Sequence, residues 1–350
     1  MMTPQIAITM GDPAGIGPEI ILKAWQQDAD LLRCAVVVGD MACMQRARAV
    51  LPSGVPELVQ VPDWQAARAV AQTGRIPVVQ VQLPQTGNAL PDFGQVSAQA
   101  GSMAAACITQ ATQAVLRQEV AAMATAPVHK EALALAGVPY PGHTEMLQAL
   151  AAQHMGVAVH EMPVRMMLAN PELKTVLNSI HVSLRDAIDQ VQIKSLLQTL
   201  SITNDFFHRV LRHRKPKIAV AGLNPHAGEG GLFGREELDA IIPAIHLAQA
   251  QGMDVQGPFP PDTVFMQARA AAEQEPPFAD AVIAMYHDQG LIPVKYMGVE
   301  HGVNVTLGLP LVRTSPDHGT AFNLAGTGQA DATSMLAAIR MAQQMVAKSA

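Results

Sequence analysis

The sequence contains no long apolar run. Of its 350 residues 49% are hydrophobic, and the mean hydropathy is +0.17. Yet the longest apolar stretches, Ala121–Ala126 and Ile218–Leu223, fall far short of the ~20 residues that cross a bilayer. The apolar content is Ala, Val, Leu and Met spread through the chain, as expected for helices packed on a buried sheet. Cysteine is scarce. Cys34, Cys43 and Cys107 are odd in number and lack CxxC spacing, so they are expected as buried free thiols in a reducing compartment. Neither a basic n-region nor a long apolar segment follows Met1, so no export signal and a cytoplasmic location are expected. The net charge is -6, and no Lys/Arg block stands out beyond His208–Lys217. That balance argues against a nucleic-acid partner, and the basic stretch is read as a solvated helix end leading into a strand. Internal repeats and low-complexity linkers are missing as well.

What is present is an alternation of short β-like runs with helical stretches. Strands are expected at Ile6–Met10, Ala35–Gly39, Val78–Val81, Val120–Thr125, Arg165–Ala169, Thr175–Ile180, Lys217–Ala221 and Ala281–Met285. Helices are expected between them, including an Ala-rich one over Ser97–Arg117, a single one over Leu184–Thr199, and a closing one over Ala330–Lys348. This rhythm predicts an α/β fold with a largely parallel sheet, in one large domain or two domains sharing a cleft. Gly/Pro-rich segments fall near strand ends, where α/β sheets gather their ligands.

Three of those segments carry histidines. His287 and Asp288, in MYHDQG at 285–290, follow an apolar strand; a helix cap by Asp288 beside a surface histidine is an equally good reading. His226 lies in GLNPHAGEGG at 222–231, a loop whose glycines let backbone approach a ligand, although an ordinary turn explains it too. His181, in SIHVSLRD at 179–186, ends the strand Thr175–Ile180, with Ser183 placed to cap the next helix. Singly, each is as readily a structural histidine as a ligand. Together, three imidazoles past three separate strands suit a catalytic divalent cation with open positions better than a closed structural site. Lys295, Asn304 and Arg313 form a further set in hydrophobic surroundings; either an internal salt bridge to Asp317 or Asp288, or a ligand phosphate or carboxylate, would partner the cations. In PGHTE at 141–145, His143 or Thr144 is read as capping a helix, whose N-terminus favours anions.

Five ordered motifs then become specific: GDPAGIGPE at 11–19, GHTE at 142–145, GLNPHAGEGG at 222–231, MYHDQG at 285–290 and GVNVTLGLPLVRTSPDHGTA at 302–321. Together they resemble the PdxA family, 4-hydroxythreonine-4-phosphate dehydrogenases of vitamin B6 synthesis and their relatives, over about residues 5 to 345. The resemblance implies an isocitrate/isopropylmalate dehydrogenase-like fold, two α/β/α subdomains flanking an active-site cleft; no GxGxxG follows the first strand. The expected subdomains are 1–130 with 310–350, and 131–309, the second carrying metal and dimer-interface elements. The resemblance further implies a homodimer with the active site at the subunit interface, one divalent metal (Zn, Co, Mg or Mn) on His181, His226 and His287, and NAD or NADP as cofactor, contacted near Asp317–Gly326. Substrate contacts fall on His143, Thr144, Lys295, Asn304 and Arg313, and catalytic roles on Asp262, Asp288 and Lys295, with Lys295 and Asp262 as rival general bases.

The implied reaction is oxidation, with decarboxylation, of the small phosphorylated hydroxy acid 4-phosphohydroxy-L-threonine on the way to pyridoxal 5'-phosphate. This chain is longer than the compact B6 enzymes around Ala151–His160, and its sequence about Lys295 is closer to a second group of the family. The resemblance therefore admits 4-phospho-D-threonate, 4-phospho-D-erythronate or an aromatic cis-dihydrodiol as alternative substrates. Two readings of another class remain: a phosphate acyltransferase-like enzyme, which would leave the histidines unexplained, and a non-catalytic metabolite-binding protein. Bound-metal analysis separates the first, and NAD(P)H formation the second.

Overall fold

The computed structural model describes residues 5–82, 89–211 and 214–347. The chain begins with β1 (Ile6–Thr9), α1 (Gly17–Gln27), β2 (Ala35–Gly39), α2 (Met41–Ala49), β3 (Leu58–Val61), α3 (Trp64–Gln72), β4 (Ile76–Gln80), α4 (Ala98–Leu116), β5 (Ala122–Thr125), α5 (Lys130–Leu135) and α6 (His143–Met155). Next come β6 (Arg165–Ala169), β7 (Lys174–Leu177), α7 (Leu184–Asp189), α8 (Ile193–Leu211), β8 (Lys217–Ala221), α9 (Ile242–Ala250), β9 (Asp254–Phe259), α10 (Val264–Ala270), β10 (Ala281–Ala284), α11 (His287–Tyr296) and β11 (Val303–Leu307). The chain returns with β12 (Arg313–Pro316) and α12 (Thr333–Ala347). Arg212 and His213 of the basic stretch, and Lys348 of the expected closing helix, lie outside the described residues.

Two compact α/β units result. The first falls within Met1–Pro163 and Leu309–Lys348, the second within Val164–Gly308. This corrects the expected boundary near residue 130. The segment 131–163 belongs with the first unit because α5 and α6 both pack on the long helix α4. Gly101 of α4 makes that approach possible, since a Cβ there would lie 2.0 Å from the Ala132 carbonyl oxygen.

In the first unit the strand order is β3-β4-β2-β1-β5-β12, and every pairing is parallel. Its central strands read IAIT, AVVVG and AMAT and are buried throughout, as parallel strands covered on both faces must be. Side-chain caps set the helix starts: the Asp40 carboxylate accepts from Cys43 N–H at 2.9 Å, and Ser97 Oγ from Ala100 N–H at 3.2 Å. In the second unit the order is β11-β6-β7-β10-β8-β9. Here β6 pairs antiparallel with both β11 and β7, while the β7-β10-β8-β9 run is parallel. The β6–β7 hairpin is closed by Asn170, whose Oδ1 accepts from the backbone of Glu172 and Leu173. Its core joins Leu168, Leu177, Ala219, Val282 and Val294.

All three cysteines are buried and free, as their sequence context implied, and burial pushes the Cys107 thiol up to about 12. Among the described residues no helix is long and apolar enough to cross a membrane.

Candidate active site

The loop carrying His226 has the most unusual backbone among the described residues. His226, Ala227, Gly228, Glu229 and Gly230 all have positive φ, from 44° to 81°. Left-handed backbone costs a non-glycine residue about 1–2 kcal/mol, so three such residues need an external brace. Glu237 supplies it. Its buried carboxylate accepts from the backbone N–H of Leu223 and Asn224, both at 2.8 Å, and from Asn224 Nδ2 at 2.9 Å. Gly228 lies so close that a Cβ would sit 2.7 Å from Glu237 Oε2, and its φ of +81° excludes a side chain on separate grounds. Glu237 opens a π-helical turn, Glu237–Ile241, that runs into α9. The sequence signal for Glu237 was weak: a buried glutamate in a charged REELD run looks like solvated surface.

A second brace joins this loop to the MYHDQG segment. Gln289 Nε2 donates to the Gly222 carbonyl at 2.8 Å, while its Oε1 accepts from Met285 N–H at 2.6 Å. Ser179, two residues before His181, donates to the Met285 carbonyl at 3.0 Å. The three histidine-bearing segments are thus tied together through Ser179 and Gln289, neither of which was singled out in the sequence.

His287 is the first residue of α11, capped by Tyr286 without a side-chain bond, so the reading of Asp288 as the cap is wrong. Asp288 instead meets the His287 ring, Oδ1 to Nδ1 at 2.7 Å. The His287 and His181 rings lie 5.8 Å apart between centroids. His181 is four residues beyond β7, which ends at Leu177 and not at Ile180 as expected, and it too has positive φ, 43°. His226 turns its Nδ1 to Glu229 Oε2 at 3.1 Å and is 64% exposed. In both His226 and His287 a carboxylate engages Nδ1 and leaves Nε2 for a ligand, the arrangement by which carboxylates orient metal-binding imidazoles. The donor set therefore fits a divalent cation chemically. Among the described residues, however, no group of three or more His, Cys, Asp or Glu converges as a metal cluster. The structure brings the His181 and His287 rings together.

The other expected residues divide between the two units. In the first, Arg313 on β12 is only 4% exposed, and its Nε and Nη2 both donate to Thr125 Oγ1, at 3.0 and 2.8 Å. Burial lowers its pKa to about 10, which still leaves it cationic at neutral pH. His143 and Thr144 open α6, whose cap is Gly142 with no side-chain bond, so neither caps the helix as expected. His143 Nε2 is enclosed and has no hydrogen-bond partner. Burial and the nearby Arg313 cation hold its pKa well below 6.5. A cation, a helix N-terminus and an enclosed imidazole nitrogen meeting in one unit suit an anionic ligand. In the second unit, Asn304 stands on β11 opposite Leu168, Lys295 is half-buried in the last turn of α11, and Asp262 is exposed between β9 and α10. The 317–326 segment follows β12 and is held to the start of the chain by Ile16 N–H on the Thr320 carbonyl, 3.0 Å.

The neutral His143 has a consequence for stability. Unfolded, the ring takes a proton near pH 6.5. Folded, its pKa is lower, so below pH 6.5 the unfolded state binds more protons. The stabilisation is complete above about pH 6.5 and is lost as pH falls through the folded pKa, by up to ~1.4 kcal/mol per pH unit. Urea denaturation at about pH 7 and pH 5 should show this slope in the parent and a shallower one in His143→Gln.

The family profile described as "Pyridoxal phosphate biosynthetic protein PdxA" matches residues 32–342. A 4-hydroxythreonine-4-phosphate dehydrogenase of Beijerinckia indica is 48% identical over 99% of this chain and 96% of its own. A D-threonate 4-phosphate dehydrogenase of Salmonella typhimurium is 46% identical over 99% of this chain and 100% of its own. The crystal structure of 4-hydroxythreonine-4-phosphate dehydrogenase from Klebsiella pneumoniae superposes with a TM-score of 0.85, at 42% identity and 98% coverage of both chains. With its α/β units, its braced histidine loops and these likenesses over nearly its full length, the chain belongs to the PdxA family and is an oxidoreductase of the dehydrogenase class.

Proposed function

We propose that the chain oxidises 4-phosphohydroxy-L-threonine, or its near relative 4-phospho-D-threonate, with NAD or NADP and a divalent cation. The observation that supports this reading is the buried Arg313 near His143 at the N-terminus of α6, an arrangement in the first unit that suits an anion. The names of relatives at 46–48% identity support both substrates equally.

Arg313 and His143 would hold the phosphate, with Thr144 as a neutral hydrogen-bonding partner, and Asn304 and Lys295 of the second unit are proposed as further substrate contacts on the family resemblance. Binding energy gained at the phosphate orients the reacting carbon without touching it. His181, His226 and His287 would hold the cation, Asp288 and Glu229 orienting two of the rings. Bound, the cation would supply Lewis acidity at the substrate hydroxyl and the dinucleotide would accept a hydride. The hydroxyl proton would leave to the Asp262 carboxylate or, as the rival base, to Lys295 Nζ in its neutral amine form.

A homodimer with the active site at its interface belongs to the same proposal. His226 is 64% exposed, and the adjoining Leu232 and Phe233 are 73% and 48% exposed. Exposed apolar residues beside a ligand side chain are what an interface would cover. Neither nucleic acid nor membrane enters the proposal, and a cytoplasmic location is supported by the three buried thiols.

Chelation tests the metal. Stripped enzyme is expected to lose activity by at least about a hundredfold and to regain it with Zn, Co, Mg or Mn ions. Near-normal turnover after exhaustive chelation would refute metal dependence.

A further inference from the structure

In the first unit three parallel strands lie side by side in the order β1-β5-β12, and each leads into an unusual loop at its carboxyl end. Those ends are where open α/β sheets bind ligands. The three loops are laced together. Asp12 N–H donates to the Pro127 carbonyl at 2.9 Å, and the His129 ring stacks on Phe322 with centroids 4.8 Å apart and planes 19° apart. Gly326 and Gly328 direct their N–H groups onto the buried carboxylate of Glu19. Gly11 permits the close passage: its φ is +73°, and a Cβ would lie 2.5 Å from the Pro127 carbonyl oxygen.

Two polar atoms in this knot are left over. Asp12 is fully buried; its Oδ1 accepts from Ala14 N–H at 2.8 Å, but Oδ2 makes no hydrogen bond. His129 Nδ1 is enclosed and also without a partner. Native folds rarely leave such groups unmet, so two of them in neighbouring loops, close enough for the His129 ring to act on the Asp12 carboxyl, ask for a ligand. Burial lifts the Asp12 carboxyl above the usual range, and the Ala14 N–H and the neighbouring His129 ring and backbone partly offset this. A carboxylate oxygen accepts and an imidazole nitrogen can donate. A flat group that offers an N–H beside a carbonyl oxygen complements them, and a primary carboxamide does so with one of its two N–H bonds.

We propose that Asp12 and His129 recognise the carboxamide of the nicotinamide ring, Asp12 Oδ2 accepting its N–H and His129 Nδ1 donating to its carbonyl oxygen. The assignment rests on the nicotinamide-linked reading above and gives the 11–16 loop a binding role. It also brings the dinucleotide to the 317–328 loop through Phe322.

Binding, not turnover, tests it. Calorimetry on the metal-loaded protein would compare NAD and NADP with their 3-acetylpyridine analogues, which keep the carbonyl and lack the N–H donor. The parent is expected to bind the natural dinucleotide about tenfold more tightly than its analogue. Asp12→Asn can keep the acceptor for Ala14 N–H and set an amide N–H where Oδ2 stood. It should weaken the natural dinucleotide about tenfold and leave the analogue within about twofold, so the preference disappears. His129→Leu should weaken both alike, by about tenfold. Melting curves report folding, and if Asp12→Asn does not fold, the parent's preference and His129→Leu decide. A parent indifferent to the carboxamide, or a folded Asp12→Asn that keeps the preference, overturns the assignment and leaves the nicotinamide-linked reading standing. A parent that binds neither dinucleotide overturns both.

Discussion

Replacing His226 by alanine is expected to lower kcat/KM by about a thousandfold or more while moving the melting temperature little. The side chain is 64% exposed, so truncation removes almost no packing. Its backbone, at φ 54°, is already strained for any L-residue, and alanine inherits that strain unchanged. What is lost is one of three proposed metal donors, and with it the charge stabilisation a cation offers, worth several kcal/mol. Metal content should fall along with activity. A variant that keeps both turnover and metal would remove His226 from the site. Glu237→Gln is a useful companion, since it disturbs the same loop through the carboxylate that accepts from Leu223 and Asn224 and leaves the histidine in the chain.

Arg313→Met should raise KM by about a hundredfold and lower kcat much less. Removing one side of a buried, charge-assisted contact costs about 2–5 kcal/mol in binding. Because the phosphate is remote from the reacting carbon, most of that loss should appear in binding. Methionine nearly fills the volume, and an apolar replacement of a buried charge is often tolerated, so stability should stay within about 1–3 kcal/mol of the parent. Arg313→Lys keeps the charge but not the fork on Thr125, and is expected between the two. Equal losses in kcat and kcat/KM for Arg313→Met, with KM unchanged, would contradict phosphate binding as its role.

Much of the architecture was legible in the sequence because its central strands are apolar throughout. Ile6–Thr9, Ala35–Gly39 and Ala281–Ala284 stand where the pattern put them. The strands that were missed lack that signal. β12 reads RTSP and is completely buried, its polar groups met by partners such as Thr125 and the Ala338 carbonyl. β9 contains Gly257-Pro258, punctuation that hides a strand, and its place at the sheet edge is what tolerates proline. The stretch expected as one helix over Leu184–Thr199 is two, since α7 ends at Asp189 and α8 starts at Ile193. Ser183 caps the first of them, accepting from Asp186 N–H, as its position implied. The histidines stood out because loops past strands are sparse in competing explanations. Glu237, Gln289 and Asp12 did not, because their importance comes from contacts many residues away: Gln289 with Gly222, Glu237 with Leu223, and Asp12 with Pro127.

The central claim is that this family member oxidises a 4-phosphorylated hydroxy acid with a nicotinamide cofactor. Its most direct test is reduced-cofactor formation by the purified, metal-loaded protein. 4-Phosphohydroxy-L-threonine, 4-phospho-D-threonate, 4-phospho-D-erythronate and an aromatic cis-dihydrodiol would each be supplied with NAD and with NADP. The account predicts turnover with one of the first two, lost when the phosphate is removed from the substrate. Turnover of the dihydrodiol alone, or of none of the four, would contradict it.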